Sequence, residues 1–204
     1  MKTPPQKQMA NELTRLGSQR EYDYPVLFLD FDGVLHPAKL ACLDISVEGR
    51  IMVNRTIDEV LIFLPVLTKL LSPFREFRVV VSSSWRWHHT ERELRDLLGS
   101  IGDRMIGTIS KDKTYISRLH EILGFVDEFS IRHWVALDDD LPFEEDIIDL
   151  NGPEVARRCI KTYPDLGLGC NETQEQLKLS LIAVMNEWEA DGVPMLATHD
   201  VSKS

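Results

Sequence analysis

Short, unbroken apolar runs alternate along this chain with stretches that are apolar on one side only. The runs are Val26-Leu27-Phe28-Leu29, Val79-Val80-Val81 and Trp134-Val135-Ala136-Leu137. Apolar residues without polar alternation, rich in Val and aromatics, predict strands buried on both faces, as in a parallel sheet. They give strands over about 26–30, 78–82 and 133–138. Two weaker strands are expected over 104–109 and 156–162. Between them, Leu94, Leu97 and Leu98 recur at helical spacing within 91–98, and Leu177, Leu181, Val184 and Trp188 within 172–189. A further helix is expected over 113–123. Residues 61–64 read as extended, with Pro65 in the first turn of a helix that ends before Ser72-Pro73. Strands that alternate with helices define an α/β protein, here a Rossmann-like three-layer sandwich around a central, mainly parallel sheet.

The remaining chain bounds what else the molecule holds. Residues 1–24 read as a polar extension with a short helix around 8–16, residues 25–189 as one domain, and residues 190–204 as a tail. Residues 36–56 read as an irregular flap. No stretch is long enough for a large separate lid, so the fold is expected to be capless or to carry a minimal cap.

The chemistry sits where the apolar runs stop. The first run leads into Asp30-Phe31-Asp32-Gly33. A buried strand has no structural use for two acids at its exit, because unpaired buried charge is costly. In open α/β sheets, ligands bind at the carboxyl ends of the strands. One carboxylate there can act as a nucleophile toward phosphorus, and the other can protonate a leaving oxygen and then activate water. Phosphate is anionic, so the acids need a divalent cation, most simply Mg²⁺. Gly33 allows close backbone approach. The run ending at Leu137 leads into Asp138-Asp139-Asp140, and the run ending at Val81 into Ser82-Ser83-Ser84. If these strands are neighbours, the two acid groups meet in an oxygen-rich cage suited to Mg²⁺. The Ser82 hydroxyl and the Ser83 amide are placed to hold phosphate oxygens. A helix cap and turn is the competing reading of the serines, and a solvated acidic turn that of the three aspartates.

These three exits resemble motifs one, two and four of the haloacid dehalogenase (HAD) superfamily. A closer similarity lies with the HAD domain of Swiss Army Knife RNA repair proteins. It is carried by SSSWR (82–86), RLHEIL (118–123), LDDD (137–140) and KTYPDLGLG (161–169), and it runs from about Val26 to Trp188. The resemblance implies Mg²⁺-dependent phosphotransfer, with Asp30 as nucleophile and Asp32 as general acid and base. It further implies that Asp32 offers its backbone carbonyl to the metal and that Ser82 binds the phosphoryl group. Asp138 and Asp139 are the two candidates to complete the metal site. The third-motif base is sought among Lys111, Lys113 and Arg118. The register of RLHEIL favours Arg118, with Lys113 second, and an arginine can grip phosphate bidentately. An acid at position 32 favours a phosphatase over a dehalogenase or phosphonatase. The expected activity is phosphomonoester hydrolysis, with RNA or DNA termini as the substrate class. The alternatives are a small-molecule (nucleotide) phosphatase and a non-catalytic phosphate-binding module. There is no G-x-x-x-x-G-K-[ST] loop, so the domain is expected to stand alone.

Composition narrows the partners. Of 204 residues, 33 are acidic and 23 basic, for a net charge of −10. That balance does not suit a protein that coats nucleic acid, though it allows one phosphorylated end in a local basic pocket. The three cysteines show no C-x-x-C spacing, so no zinc site follows, and an unpaired count suits a reducing compartment. The polar start lacks an apolar signal core, and no membrane partner is expected. The protein is therefore read as cytoplasmic. Trp85-Arg86-Trp87-His88-His89 follows the serines. Trp85 or Trp87 is expected to pack on the core, and Arg86 to pair with an acid. Base stacking by these tryptophans and metal binding by the histidines are the weaker readings. Arg157, Arg158 and Lys161 are expected on the outer face of a late strand.

Overall fold

A computed structural model describes residues 24–41, 60–110 and 117–192. Its centre is a five-stranded sheet of β1 (Val26–Leu29), β2 (Arg78–Val81), β3 (Met105–Thr108), β4 (Trp134–Asp138) and β5 (Cys159–Lys161). The order is β3-β2-β1-β4-β5, and every pairing is parallel. The chain therefore winds outward from β1 in one direction to β3, then crosses back to place β4 on the other side of β1. The topological switch point lies between β1 and β4, where doubly wound sheets open a crevice for ligands.

Side chains of the strands alternate strictly between two apolar layers. Leu27, Leu29, Val79, Val81, Val135 and Leu137 enter one, together with α2 (Leu64–Leu71), α3 (Glu91–Leu98) and α7 (Asn171–Ala190). The short α1 (Ala38–Ala41) precedes α2 in the chain. Val26, Phe28, Val80, Trp134 and Ala136 enter the other, together with α4 (Arg118–Glu128), α5 (Glu144–Asn151) and α6 (Pro153–Arg158). Period-2 alternation makes both layers dry, which is why the runs lack polar residues. The helix over 172–189 is present as α7, with Leu177, Leu181, Val184 and Trp188 buried as its spacing predicts.

Four expectations need correction. Residues 61–63 form a turn rather than an extended segment. The strand expected over 156–162 is shorter: Pro153–Arg158 is helical, with Gly152 at its N-cap and Pro153 in its first turn. Arg157 and Arg158 therefore end a helix instead of lining a strand. In place of the helix expected over 113–123, α4 begins at Arg118, where the Ser117 side chain caps it by accepting from the His120 N–H. It then continues through Gly124 to Glu128. Phe125 packs edge-on against Phe28, with ring centroids 5.7 Å apart, and that burial outweighs the glycine penalty of about 1 kcal/mol.

Residues 1–23, 42–59, 111–116 and 193–204 lie outside the described set. The expected N-terminal helix, most of the flap, the tail, Lys111 and Lys113 fall there. Among the described residues, no helix is long and apolar enough to cross a membrane.

Candidate active site

Register alone brings the three polar exits together. Leu29 pairs with Val81 on one side and Leu137 on the other. Asp30, Ser82 and Asp138 are the next residues of three adjacent strands. The backbone confirms this: the Asp30 N–H donates to the Leu137 carbonyl at 3.1 Å, and the Ser82 N–H to the Leu29 carbonyl at 2.9 Å. Asp138 shares the parity of Trp134 and Ala136, which places it on the α4 side of the sheet. Arg118, the first residue of α4, is there to meet it.

Asp30, Asp138 and Asp139 each offer a carboxylate oxygen, all within 4.8 Å of one another. Asp30 is 4 % exposed and Asp138 fully buried. Burial pushes the Asp30 carboxyl up to about 6, with Arg118 and a Ser83 hydrogen bond acting against the rise. Burial, and then the neighbouring Asp30, raise Asp138 well above the usual carboxylate range. Asp139 is raised by burial and by Asp140. Arg118 is the counter-charge. Its Nε donates to Asp138 Oδ2 at 3.0 Å, and its Nη1 donates to Glu121. Burial would lower its pKa, but Asp138, Asp30 and Glu121 outweigh that and hold it above the ordinary value.

Among the described residues, two buried polar atoms at these strand ends have no partner: Asp30 Oδ1 and Ser82 Oγ. Orphaned buried groups are costly, so such pairs mark places completed by a ligand. Three clustered carboxylates, all hard oxygen donors, match a hard divalent cation such as Mg²⁺.

The side chain of Asp32 lies apart from that cluster. Its Oδ1 accepts from the Trp85 indole N–H at 2.9 Å, and its Oδ2 from the Ser84 hydroxyl at 3.2 Å. His36 Nε2 stands 3.3 Å from Oδ1 without hydrogen-bond alignment. Asp32 is thus a quarter exposed and oriented by an indole that is itself wedged between Phe31 and His89. Trp85 packs on the core as expected, but its role as a donor to Asp32 is not visible in a pattern of apolar positions. Neither His88 nor His89 belongs to the carboxylate cluster.

The turn after β1 is held from the β5 side. Gly33 has φ +68°, which side chains rarely adopt, and a Cβ on it would stand 2.2 Å from Asp139 Oδ2 and push that carboxylate aside. Its carbonyl accepts from the Thr162 hydroxyl at 2.6 Å. The Leu168 N–H donates to the Val34 carbonyl, and Gly167 lies so close to that carbonyl that a Cβ would meet it at 2.5 Å. The KTYPDLGLG segment is therefore the brace behind the Asp32 turn. Lys161 at its start donates to the carbonyls of Asp139 and Leu141, which fixes the acidic loop after β4. Arg86 does pair with an acid, Glu121, at 3.0 and 3.1 Å.

With this arrangement in hand, the class is that of an α/β domain with an acid-lined site at its switch point. The family model for the HAD domain in Swiss Army Knife RNA repair proteins matches residues 26–172, and the chain belongs to that family. Membership points to phosphatase-type hydrolysis. No curated protein and no solved structure matches the chain.

Proposed function

We propose that this protein is a Mg²⁺-dependent phosphomonoester hydrolase in which Asp30 takes the phosphoryl group. The observation that carries the reading is Asp30 itself. It is a buried carboxylate with one oxygen that has no partner among the described residues, clustered with Asp138 and Asp139 at the switch point.

Asp30 would attack phosphorus, forming an oxygen–phosphorus bond as the bond to the leaving oxygen breaks. Asp32, held by Trp85 and Ser84, gives that oxygen a proton. In the second half, Asp32 takes a proton from the water that attacks phosphorus, and Asp30 is released. Ser82, the amides of Ser83 and Gly33, and the Arg118 guanidinium bind phosphoryl oxygens, with Lys113 as a second basic candidate. Asp30, Asp138 and Asp139, with the Asp32 carbonyl, would hold Mg²⁺, which supplies the positive charge that lets carboxylates and phosphate share the site. Phosphorylated RNA or DNA ends are the proposed substrate class. The occurrence of this domain in RNA repair proteins supports it.

Hydrolysis of an aryl phosphate tests the chemistry. Turnover should need Mg²⁺ and fall roughly 10³-fold or more in Asp30→Asn. Undiminished turnover in that variant removes Asp30 as nucleophile. A 3′-phosphorylated oligonucleotide and a mononucleotide, compared by kcat/KM, then test the substrate. Preference for the mononucleotide would favour a nucleotidase.

A further inference from the structure

Behind the site runs a chain of charge, buried at its Arg86 and Asp138 ends and partly buried between them, that the proposed chemistry leaves unused at one end. Arg86 is 1 % exposed. Its Nη1 donates to the carbonyls of Ser82 and Ser83, each at 2.8 Å, and its Nη2 to both oxygens of Glu121. Glu121 also accepts from Arg118, and Arg118 donates to Asp138. Four side chains of alternating sign thus join the β2 exit to the β4 exit.

Burying charge in this way is a poor route to stability, since apolar residues of the same volume commonly serve as well. What the chain does is fix directions. In a trans peptide the C=O and the following N–H are coplanar and point oppositely. Two successive carbonyls drawn to one guanidinium therefore aim the N–H groups of Ser83 and Ser84 away from Arg86. A planar fork can hold two carbonyls and a carboxylate at once, whereas an ammonium cannot hold them in that fixed geometry. Glu121, one turn into α4, ties Arg118 to the same frame.

We infer that Arg86 and Glu121 are positioning residues of this site. Arg86 sets the peptide planes that present backbone N–H groups to the phosphoryl oxygens, and Glu121 locks Arg118 in register with them. The inference rests on the phosphoester reading above.

Two variants test it: Arg86→Lys, which keeps the charge and loses the fork, and Glu121→Gln, which keeps the shape and loses the charge. In folded protein, kcat/KM for an aryl phosphate should fall about 10- to 100-fold. Inhibition by vanadate, which resembles the transition state, should weaken by the same factor, while inhibition by inorganic phosphate changes far less. Two outcomes overturn the inference. One is unchanged kinetics in folded variants. The other is a lower kcat with KM and both inhibition constants unaltered, the signature of a smaller folded fraction. Amide hydrogen exchange over residues 82–87 needs no turnover. Faster exchange there, with β1 and β4 unchanged, supports the clamp, and unchanged exchange contradicts it. A wild-type protein that fails to turn over any phosphoester counts against the proposed function, while the exchange result still decides the clamp. If Arg86→Lys fails to fold, Glu121→Gln carries the test.

Discussion

Asp30 is a buried carboxylate, and burial works against its ionised form. Burial raises its pKa to about 6 from an ordinary 3.8. A carboxyl whose native pKa lies above its unfolded value contributes stability only while protonated. That contribution is complete below about pH 4 and is lost as the pH rises through about 6. Without metal, Asp30→Asn should therefore be more stable than wild type at pH 7, and the gap should close toward pH 4. Urea midpoints at the two pH values read this out. A gap that does not depend on pH would mean Asp30 is not strained by burial. Added Mg²⁺ should stabilise wild type more than the variant, since it binds the native state. Gly33 makes a second prediction at this scale. A side chain at φ +68° costs about 1–2 kcal/mol, and its Cβ would also displace Asp139. Gly33→Ala should lose that stability and weaken Mg²⁺ binding by calorimetry. Unchanged Mg²⁺ affinity would place Asp139 outside the metal site.

The elements differ in how openly the sequence announced them. β1, β2 and β4 were legible because a central parallel strand is apolar at every position, and α7 because four buried residues repeat at helical spacing. α3 was legible for the same reason, and its start is fixed by a capping box between Thr90 and Glu93. Thr90→Ala should cost about 1 kcal/mol by urea denaturation and leave turnover unchanged. Leu181→Ala, in the middle of α7, should cost about 2–5 kcal/mol, because a fully buried side chain leaves a cavity. By contrast, α5 is not legible in the pattern of apolar positions. It opens with three acids, and Ile147 is its one buried residue, so it carries almost no apolar stripe. The Gly152-Pro153 pair marks the start of α6, with Gly152 at its N-cap and Pro153 in its first turn. The candidate site was legible as strand exits, since Asp30, Ser82 and Asp138 follow from register once the strands are parallel neighbours. Its supports were not. A pairing of Arg86 with an acid is expected from the sequence, but not which acid; Trp85 to Asp32, Arg86 to Glu121 and Lys161 to the acidic loop join residues 20 to 53 positions apart. Such contacts depend on tertiary placement that no local pattern encodes.

At the scale of the whole molecule, a site at the switch point of an acidic protein constrains how substrate is held. On the proposed function, with a net charge of −10, affinity for a phosphorylated oligonucleotide would come from a few local contacts, Arg118 among them. The dependence of log Kd on log salt should then be shallow, with a slope of magnitude below about 2, whereas a protein that coats the strand gives several times that. A steep slope would require a basic surface elsewhere in the chain. The account as a whole depends on a covalent bond at one residue. The most direct measurement is to acid-quench the protein during turnover of an aryl phosphate with Mg²⁺ and map the peptides by mass. The account predicts one phosphoryl group on the peptide containing Asp30 and none on the same peptide of Asp30→Asn. Steady turnover with no phosphoryl group on that peptide would contradict it.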